Sequence, residues 1–173
     1  MTVIGDSIMA SFDYVPAARR TLGKGLDLRS DNAVCRRLVA ASCPFQGSTP
    51  DTALQVISAR GRSLGPVVVM NVGYNDWAAV YDVDRVMKAL RSAGVRSVIW
   101  VTLREASSNA SLYAQSNTRI RKAARRWKGL TVADWSAYSR GRSWFRSDEL
   151  HLTPSGAMGL ARLLRPLVVA STN

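Results

Sequence analysis

The sequence predicts an α/β fold, a three-layer α/β/α sandwich around a five-stranded parallel sheet in flavodoxin-like order. Three observations carry this. Five short apolar segments alternate with stretches of helical periodicity through the chain, the pattern of a parallel sheet covered on both faces. Val67 to Val72 is an apolar run of the kind found in strands buried on both faces. The 173 residues show no repeat, low-complexity segment or linker, so residues 1–173 read as one domain.

Thr2 to Gly5 reads as the first strand. Ser7 to about Leu22 reads as a helix with Ile8, Met9, Phe12 and Val15 towards the core and Gly23 as its stop. Leu26 to Arg29 is the second strand candidate, and a short helix from Asn32 to Ala41 follows, carrying Val34, Leu38 and Val39. Thr49-Pro50 has the form of a helix start, a capping residue before a proline at the first helical position. That helix carries Leu54, Val56 and Ile57 and ends near Gly61. Val67 to Val72 is the third strand, and Asp82 to Ala93 an amphipathic helix closed by Gly94. Val98 to Leu103 is the fourth strand, Tyr113 to Trp127 a strongly basic helix, and Leu130 to Ala133 the fifth strand. Thr153-Pro154 opens the last helix, which runs through Leu160, Leu163 and Leu164 to about Leu167. Right-handed crossovers then give the sandwich.

Apolar residues make up 47% and charged residues 21%, the profile of a globular protein. No stretch approaches the ~20 apolar residues that span a bilayer. The first strand begins at once, leaving no room for a signal peptide in the chain as given, although a piece of a longer exported or anchored precursor reads the same way. Lys and Arg number 24 against 12 acids, a net charge of +12, and Arg outnumbers Lys twenty to four. Codon bias in a GC-rich genome accounts equally well for that ratio. The excess itself draws the chain towards anionic surfaces, including acidic glycans, teichoic-acid-like polymers, phospholipid headgroups and nucleic acid. Arg119, Lys122 and Arg126 form one stripe of the basic helix and Arg121 and Arg125 another, either a solvated face or a polyanion site.

Cys35 and Cys43 fit no redox or zinc spacing, and a single His cannot complete an ordinary structural zinc site. They are either two buried thiols or a disulfide closed by a turn. A disulfide implies an oxidising, extracellular or envelope location, and free thiols a cytoplasmic one.

In an open parallel sheet, ligands bind beyond the carboxyl ends of the strands. Three loops there hold polar residues that need explaining. Gly5-Asp6-Ser7 follows the first strand; its serine is either a helix cap or an exposed hydroxyl near a helix N-terminus. Asn71-Val72-Gly73-Tyr74-Asn75-Asp76-Trp77 follows the third; it is either a plain turn or a loop aiming the Asn75 amide into the cleft. The last holds Asp148 and, three residues on, His151, the only histidine. A carboxylate and an imidazole so spaced can meet in one tight loop, which fixes the tautomer and stabilises the imidazolium. A serine nucleophile needs such a base, itself held by a third group.

Gly5-Asp6-Ser7, Gly73-Tyr74-Asn75-Asp76 and Asp148-x-x-His151 resemble the first, third and fifth sequence blocks of the SGNH (GDSL-like) hydrolases, in order and across almost the whole chain. The resemblance implies that Ser7 is the nucleophile, His151 the general base and Asp148 its orienting acid. It implies an oxyanion hole formed by the Ser7 N–H, the Gly47 N–H and the Asn75 side chain. Gly47 is the loosest match, since a segment with both cysteines separates it from the second strand, and Gly61 is a weaker substitute. Asp76 and Asp6 are read as structural carboxylates supporting their loops. Tyr74 and Trp77 flank Asn75 and either pack the loop or wall an acyl chain or sugar ring, and Arg104 follows the fourth strand towards the cleft.

The implied reaction is acyl transfer from an ester through an acyl-enzyme, with no metal or organic cofactor. The opening segment, with Leu26-Asp27-Leu28-Arg29-Ser30, also resembles the SGNH domains of bacterial cell-envelope acyl-modifying proteins. That suggests short acyl esters, such as O-acetyl groups on a glycan or other anionic envelope polymer. Esterase and O-acyltransferase remain alternatives here, and the chain is expected to be a monomer. A nucleic-acid-binding module explains +12 but not the three blocks, and a catalytically dead binding domain conflicts with the intact triad types.

Overall fold

Val67–Asn71 is buried along its whole length, as a strand covered on both faces must be. In a computed structural model, which describes residues 1–172, this strand is the centre of the sheet. The strands are β1 (Thr2–Gly5), β2 (Arg29–Asn32), β3 (Val67–Asn71), β4 (Ser97–Val101) and β5 (Leu130–Ala133). Their order is β2-β1-β3-β4-β5 and every pairing is parallel, with Gly5 registered against both Asn32 and Asn71. This is the flavodoxin-like order the alternation predicts.

Because strand side chains alternate, each strand feeds two cores. Val3, Val69, Ile99 and Val101 pack under α1 (Ser11–Tyr14), α2 (Pro16–Gly23) and α7 (Pro154–Thr172). Ile4, Val68, Met70 and Trp100 pack under α3 (Ala53–Arg60), α4 (Val83–Ser92) and α5 (Ala110–Arg126). A short helix, α6 (Trp135–Tyr138), which periodicity did not reveal, places Trp135 in the first core, and the Asp134 carboxylate caps it. No helix among the described residues is long and apolar enough to cross a membrane.

Boundaries depart from the sequence reading where tertiary bonds intervene. The helix expected from Ser7 to Leu22 is instead a turn followed by two helices. They break at Val15 (φ −121°, ψ 75°), since a residue before proline is pushed out of the helical region. The second strand lies at Arg29–Asn32 rather than Leu26–Arg29, and it is a polar edge strand whose Asp31 pairs with buried Arg36 at 2.8 Å and with Arg60 at 2.6 Å.

The helix expected at Asn32–Ala41 does not form. Its N–H groups go elsewhere: Arg37 N–H to the Ser42 hydroxyl at 3.2 Å, and Leu38 N–H to both Asp76 carboxylate oxygens at 3.0 Å. Cys35 is left-handed, at φ 67°, and bonded to Cys43 in a disulfide. The next helix starts at Ala53, not at Pro50, because Thr52 and Gln55 form a reciprocal capping box. α7 runs on past Leu167 to Thr172 with Pro166 inside it.

The disulfide closes a short loop that packs against the ligand edge of the sheet. Replacing Cys35 and Cys43 by serine should lower the unfolding free energy by about 2–3 kcal/mol in the chain-entropy picture, measured by urea denaturation against the oxidised parent. Intact mass should show the parent lighter by two hydrogens than its reduced form.

Candidate active site

Strand order reverses between β1 and β3, and at such a switch point the loops leaving the two strands splay apart and open a crevice. Ser7 leaves β1 and Asn75 leaves β3 at this point. The buried Asp6 carboxylate holds the two loops together. One oxygen accepts the Ile8 N–H at 3.0 Å; the other accepts the Gly73 and Tyr74 N–H groups at 3.1 and 3.2 Å. Ser7 therefore sits in a turn organised by Asp6 and not at the first residue of a helix. Its backbone N–H has no hydrogen-bond partner among the described residues.

The third loop brings the imidazole. His151 Nε2 lies 3.0 Å from Ser7 Oγ, and His151 Nδ1 lies 2.7 Å from Asp148 Oδ2. The other Asp148 oxygen accepts the Leu150 and His151 N–H groups, both at 2.9 Å. Burial acts to raise the Asp148 carboxyl, but the Leu150 N–H, the imidazole and the His151 N–H prevail and hold it at about 2. It is thus a carboxylate wherever the imidazole can act as a base.

The Asp148–His151 loop is fastened at several points. Phe145 bridges Leu152, the Arg146 N–H meets the His151 carbonyl at 2.8 Å, and the Thr153 N–H meets the Trp144 carbonyl at 2.9 Å. Trp144 lies against α7 over Gly156 and Gly159, where a Cβ would stand 2.2 Å from the Trp144 carbonyl oxygen or 2.7 Å from its ring. It also stacks on Trp135 with ring centroids 5.7 Å apart. This seat was not anticipated, yet its signal was present: two glycines three apart inside a predicted helix mark a close approach.

Of the residues the sequence singles out, Ser7, Asp148 and His151 come together. One N–H of the Asn75 amide donates to the Arg36 carbonyl at 3.2 Å, which fixes its plane and leaves its second N–H for another acceptor. Arg37 holds the same residue from the other side, its Nε 2.7 Å from the Asn75 carbonyl. Neither arginine was singled out.

Gly47 is not brought to the site. It lies in an exposed turn (φ 79°) closed by Phe45 and Ser48, and the part of that connection bonded to Asn75 is Arg36-Arg37. Gly61 is the residue that ends α3 and opens the connection to β3. Tyr74 does not wall the cleft. It is buried, its hydroxyl accepts the Arg104 N–H at 2.6 Å, and its ring meets Tyr113 edge-on. Trp77 is 56% exposed beneath the Arg37 guanidinium. Arg104 spans to the Asp148–His151 loop, donating to the Glu149 carbonyl at 2.6 Å.

No protein-family model matches the chain, and no curated protein matches it by sequence. Solved structures do match in fold. The C-terminal catalytic domain of Streptococcus pneumoniae peptidoglycan O-acetyltransferase A superposes with a TM-score of 0.73 at 18% identity, over 99% of this chain and 93% of that one. A carbohydrate acetylesterase family member from Sinorhizobium meliloti gives 0.72 at 18% identity, over 98% of each chain. A GDSL-like lipase from Bacteroides thetaiotaomicron gives 0.67 at 14% identity, over 98% of this chain and 87% of that one. The chain has the SGNH-hydrolase fold. Within that fold, the switch-point crevice is where the three loops described above converge.

Asp76 offers a pH test of how these SGNH-fold loops are held. Burial raises its carboxyl to about 7, against the opposing pull of the Leu38 N–H and Arg37, and with Asp6 adding to the rise. The folded form thus holds its proton to higher pH than the unfolded chain. The associated stability is fully present below the unfolded value of 3.8 and is lost as pH rises through about 7. Asp76→Asn keeps an acceptor for Leu38 without ionising. Its unfolding free energy relative to the parent should therefore improve by up to a few kcal/mol between about pH 4 and pH 8. A difference independent of pH in urea titrations would show that the Asp76 charge plays no such part.

Proposed function

We propose that this chain is a serine esterase working through an acyl-enzyme, with Ser7 as nucleophile, His151 as general base and Asp148 as orienting acid. The observation that carries the reading is the continuous relay from Asp148 Oδ2 to His151 Nδ1 at 2.7 Å and from His151 Nε2 to Ser7 Oγ at 3.0 Å. Asp148 fixes the tautomer that leaves Nε2 free to accept. His151 then takes the Ser7 proton as Oγ attacks an ester carbonyl. The resulting oxyanion is met by the unpaired Ser7 N–H and the second Asn75 N–H, donors already fixed before charge develops. Collapse expels the alcohol, which receives the proton from His151. Water then attacks the acyl-enzyme, with His151 again as base, and releases the acid.

The substrate class is short acyl esters, including O-acetyl groups on glycans. The names of the carbohydrate acetylesterase and peptidoglycan O-acetyltransferase neighbours support it, as does the openness of the site, with Asp148 and His151 side chains 48% and 37% exposed. A second reading, O-acyl transfer to a glycan hydroxyl, uses the same acyl-enzyme and is favoured by the transferase neighbour. The Cys35–Cys43 disulfide favours an oxidising location, extracellular or in the cell envelope.

The first test is turnover of p-nitrophenyl acetate, with and without a glycan acceptor. With p-nitrophenol released in either case, free acetate as the sole acetyl product assigns esterase; acetylated acceptor assigns transferase. Ser7→Ala should fold normally and lose roughly 10⁴- to 10⁶-fold in rate, and a fluorophosphonate should label the parent at Ser7 alone. Labelling that survives the substitution excludes Ser7 as nucleophile.

The relay also predicts non-additivity. Asp148→Asn should cost about 10²- to 10⁴-fold in kcat, and adding it to His151→Ala should cost little more. Two losses that multiply in full would show that Asp148 does not act through His151.

A further inference from the structure

The triad loop is bordered by arginines that the fold does not neutralise. Arg104 donates to the Glu149 carbonyl, the Arg146 N–H pairs with the His151 carbonyl, and Arg140 and Arg142 lie on the exposed segment leading into the loop. No carboxylate lies within ion-pair distance of any of the four among the described residues, whereas Arg19, Arg36, Arg60 and Arg121 each have at least one. Three of them rest on aromatic rings instead: Arg104 at 3.5 Å from the Phe145 centroid, Arg142 at 5.3 Å from Trp144 and Arg146 at 5.5 Å from Tyr14. Stacking steadies a guanidinium without cancelling its charge, so its edge donors stay available.

A cleft of about 170 Å³ lies between Arg104 and Arg140, with Ser136 and Ser139 in its lining. The Ser139 hydroxyl is buried without a hydrogen-bond partner. Glu105 also lines the cleft, but its carboxylate accepts from Asn117 at 2.8 Å and faces Arg121 at 3.9 Å. The cleft therefore keeps a positive balance and unspent donors, and Arg104 in its lining ties it to the Asp148–His151 loop through the Glu149 carbonyl.

Resting on the esterase reading, we infer that this arginine border binds the acidic groups of the substrate, and that the ester is carried by a carboxylate-bearing polysaccharide rather than a neutral one. Planar guanidinium forks match carboxylate geometry two donors to two acceptors. The aromatic faces beneath them suit the apolar faces of sugar rings. The open, half-exposed triad admits a point along a polymer, which an enclosed pocket would not.

The test separates binding from catalysis. Ser7→Ala protein is titrated calorimetrically with de-esterified polygalacturonate, with neutral xylan and with a DNA duplex. Polygalacturonate should bind, xylan should bind at least ~10-fold more weakly, and the polygalacturonate affinity should fall steeply between about 50 and 300 mM NaCl. The R140E/R142E double variant should lose ~10-fold or more in that affinity, and R140Q/R142Q should fall between. Both sites are exposed, and circular dichroism checks that each variant folds. In active protein, kcat/KM for acetylated polygalacturonate over acetylated xylan should drop by a similar factor in R140E/R142E. Equal handling of acidic and neutral glycans, insensitive to salt and to charge reversal, would overturn the proposal while leaving the esterase standing. A duplex bound more tightly than the glycan would overturn it in favour of nucleic acid. Polygalacturonate binding without turnover of any ester would uphold the border and sink the esterase reading.

Discussion

The Asp6 carboxylate is the constraint on which the ligand edge depends. β1 and β3 are parallel neighbours, so their carboxyl ends expose adjacent loops with N–H groups that no strand satisfies. One buried carboxylate answers three of them, at Ile8, Gly73 and Tyr74, and thereby sets the Ser7 loop against the loop of Asn75. Burial raises its carboxyl to about 6, although the three N–H groups and the distant His151 pull the other way. A charge kept out of water is acceptable here because the donors it serves would otherwise be orphaned. Asp76 repeats the device one loop further, tying Leu38 and with it the disulfide-closed segment to the same edge.

How much of this was legible follows the range of the interactions. β1 and β3 could be read closely from apolar runs because both-face burial leaves a local imprint on composition. Ser7, Asp148 and His151 could be read because a serine relay needs three residue types, and they stand on post-strand loops. The segment from Ala33 to Thr52 could not. Its apolar spacing suggests a helix, but Cys35, Arg37 and Leu38 are committed to Cys43, Ser42 and Asp76. Two of those partners lie within the segment, but the third is 38 residues away, so local periodicity carried no trace of the outcome. Gly47 was misplaced for the same reason: the chain next to Asn75 was chosen by Arg36 and Arg37, whose role depends on pairings that only the folded sheet creates.

The basic composition divides into two uses. Many arginines act as braces on backbone carbonyls: Arg29 on Ser63, Arg36 on Asp51, Arg37 on Asn75 and Ala41, Arg165 on Leu22. A five-donor head on a long stem can satisfy carbonyls that loops leave open, and lysine has no such fork. The preference for arginine over lysine thus has a structural component, separate from the arginines that border the triad loop. Net charge alone could not have distinguished the two.

Ser7 and His151, the proposed nucleophile and base, are separated by 144 residues of sequence. Nothing local holds them together: Ser7 belongs to the first turn after β1, and His151 to the loop that α7 and Trp144 seat. The Ser7–His151 contact is therefore a product of the whole chain, made where the loop seated on α7 meets the turn after β1. On the proposed reading, a nascent or partly opened molecule in which Ser7 and His151 stand apart carries a serine without its base. On that reading, reactivity is a quality check on the finished fold, tied to the seating of Trp144 on α7.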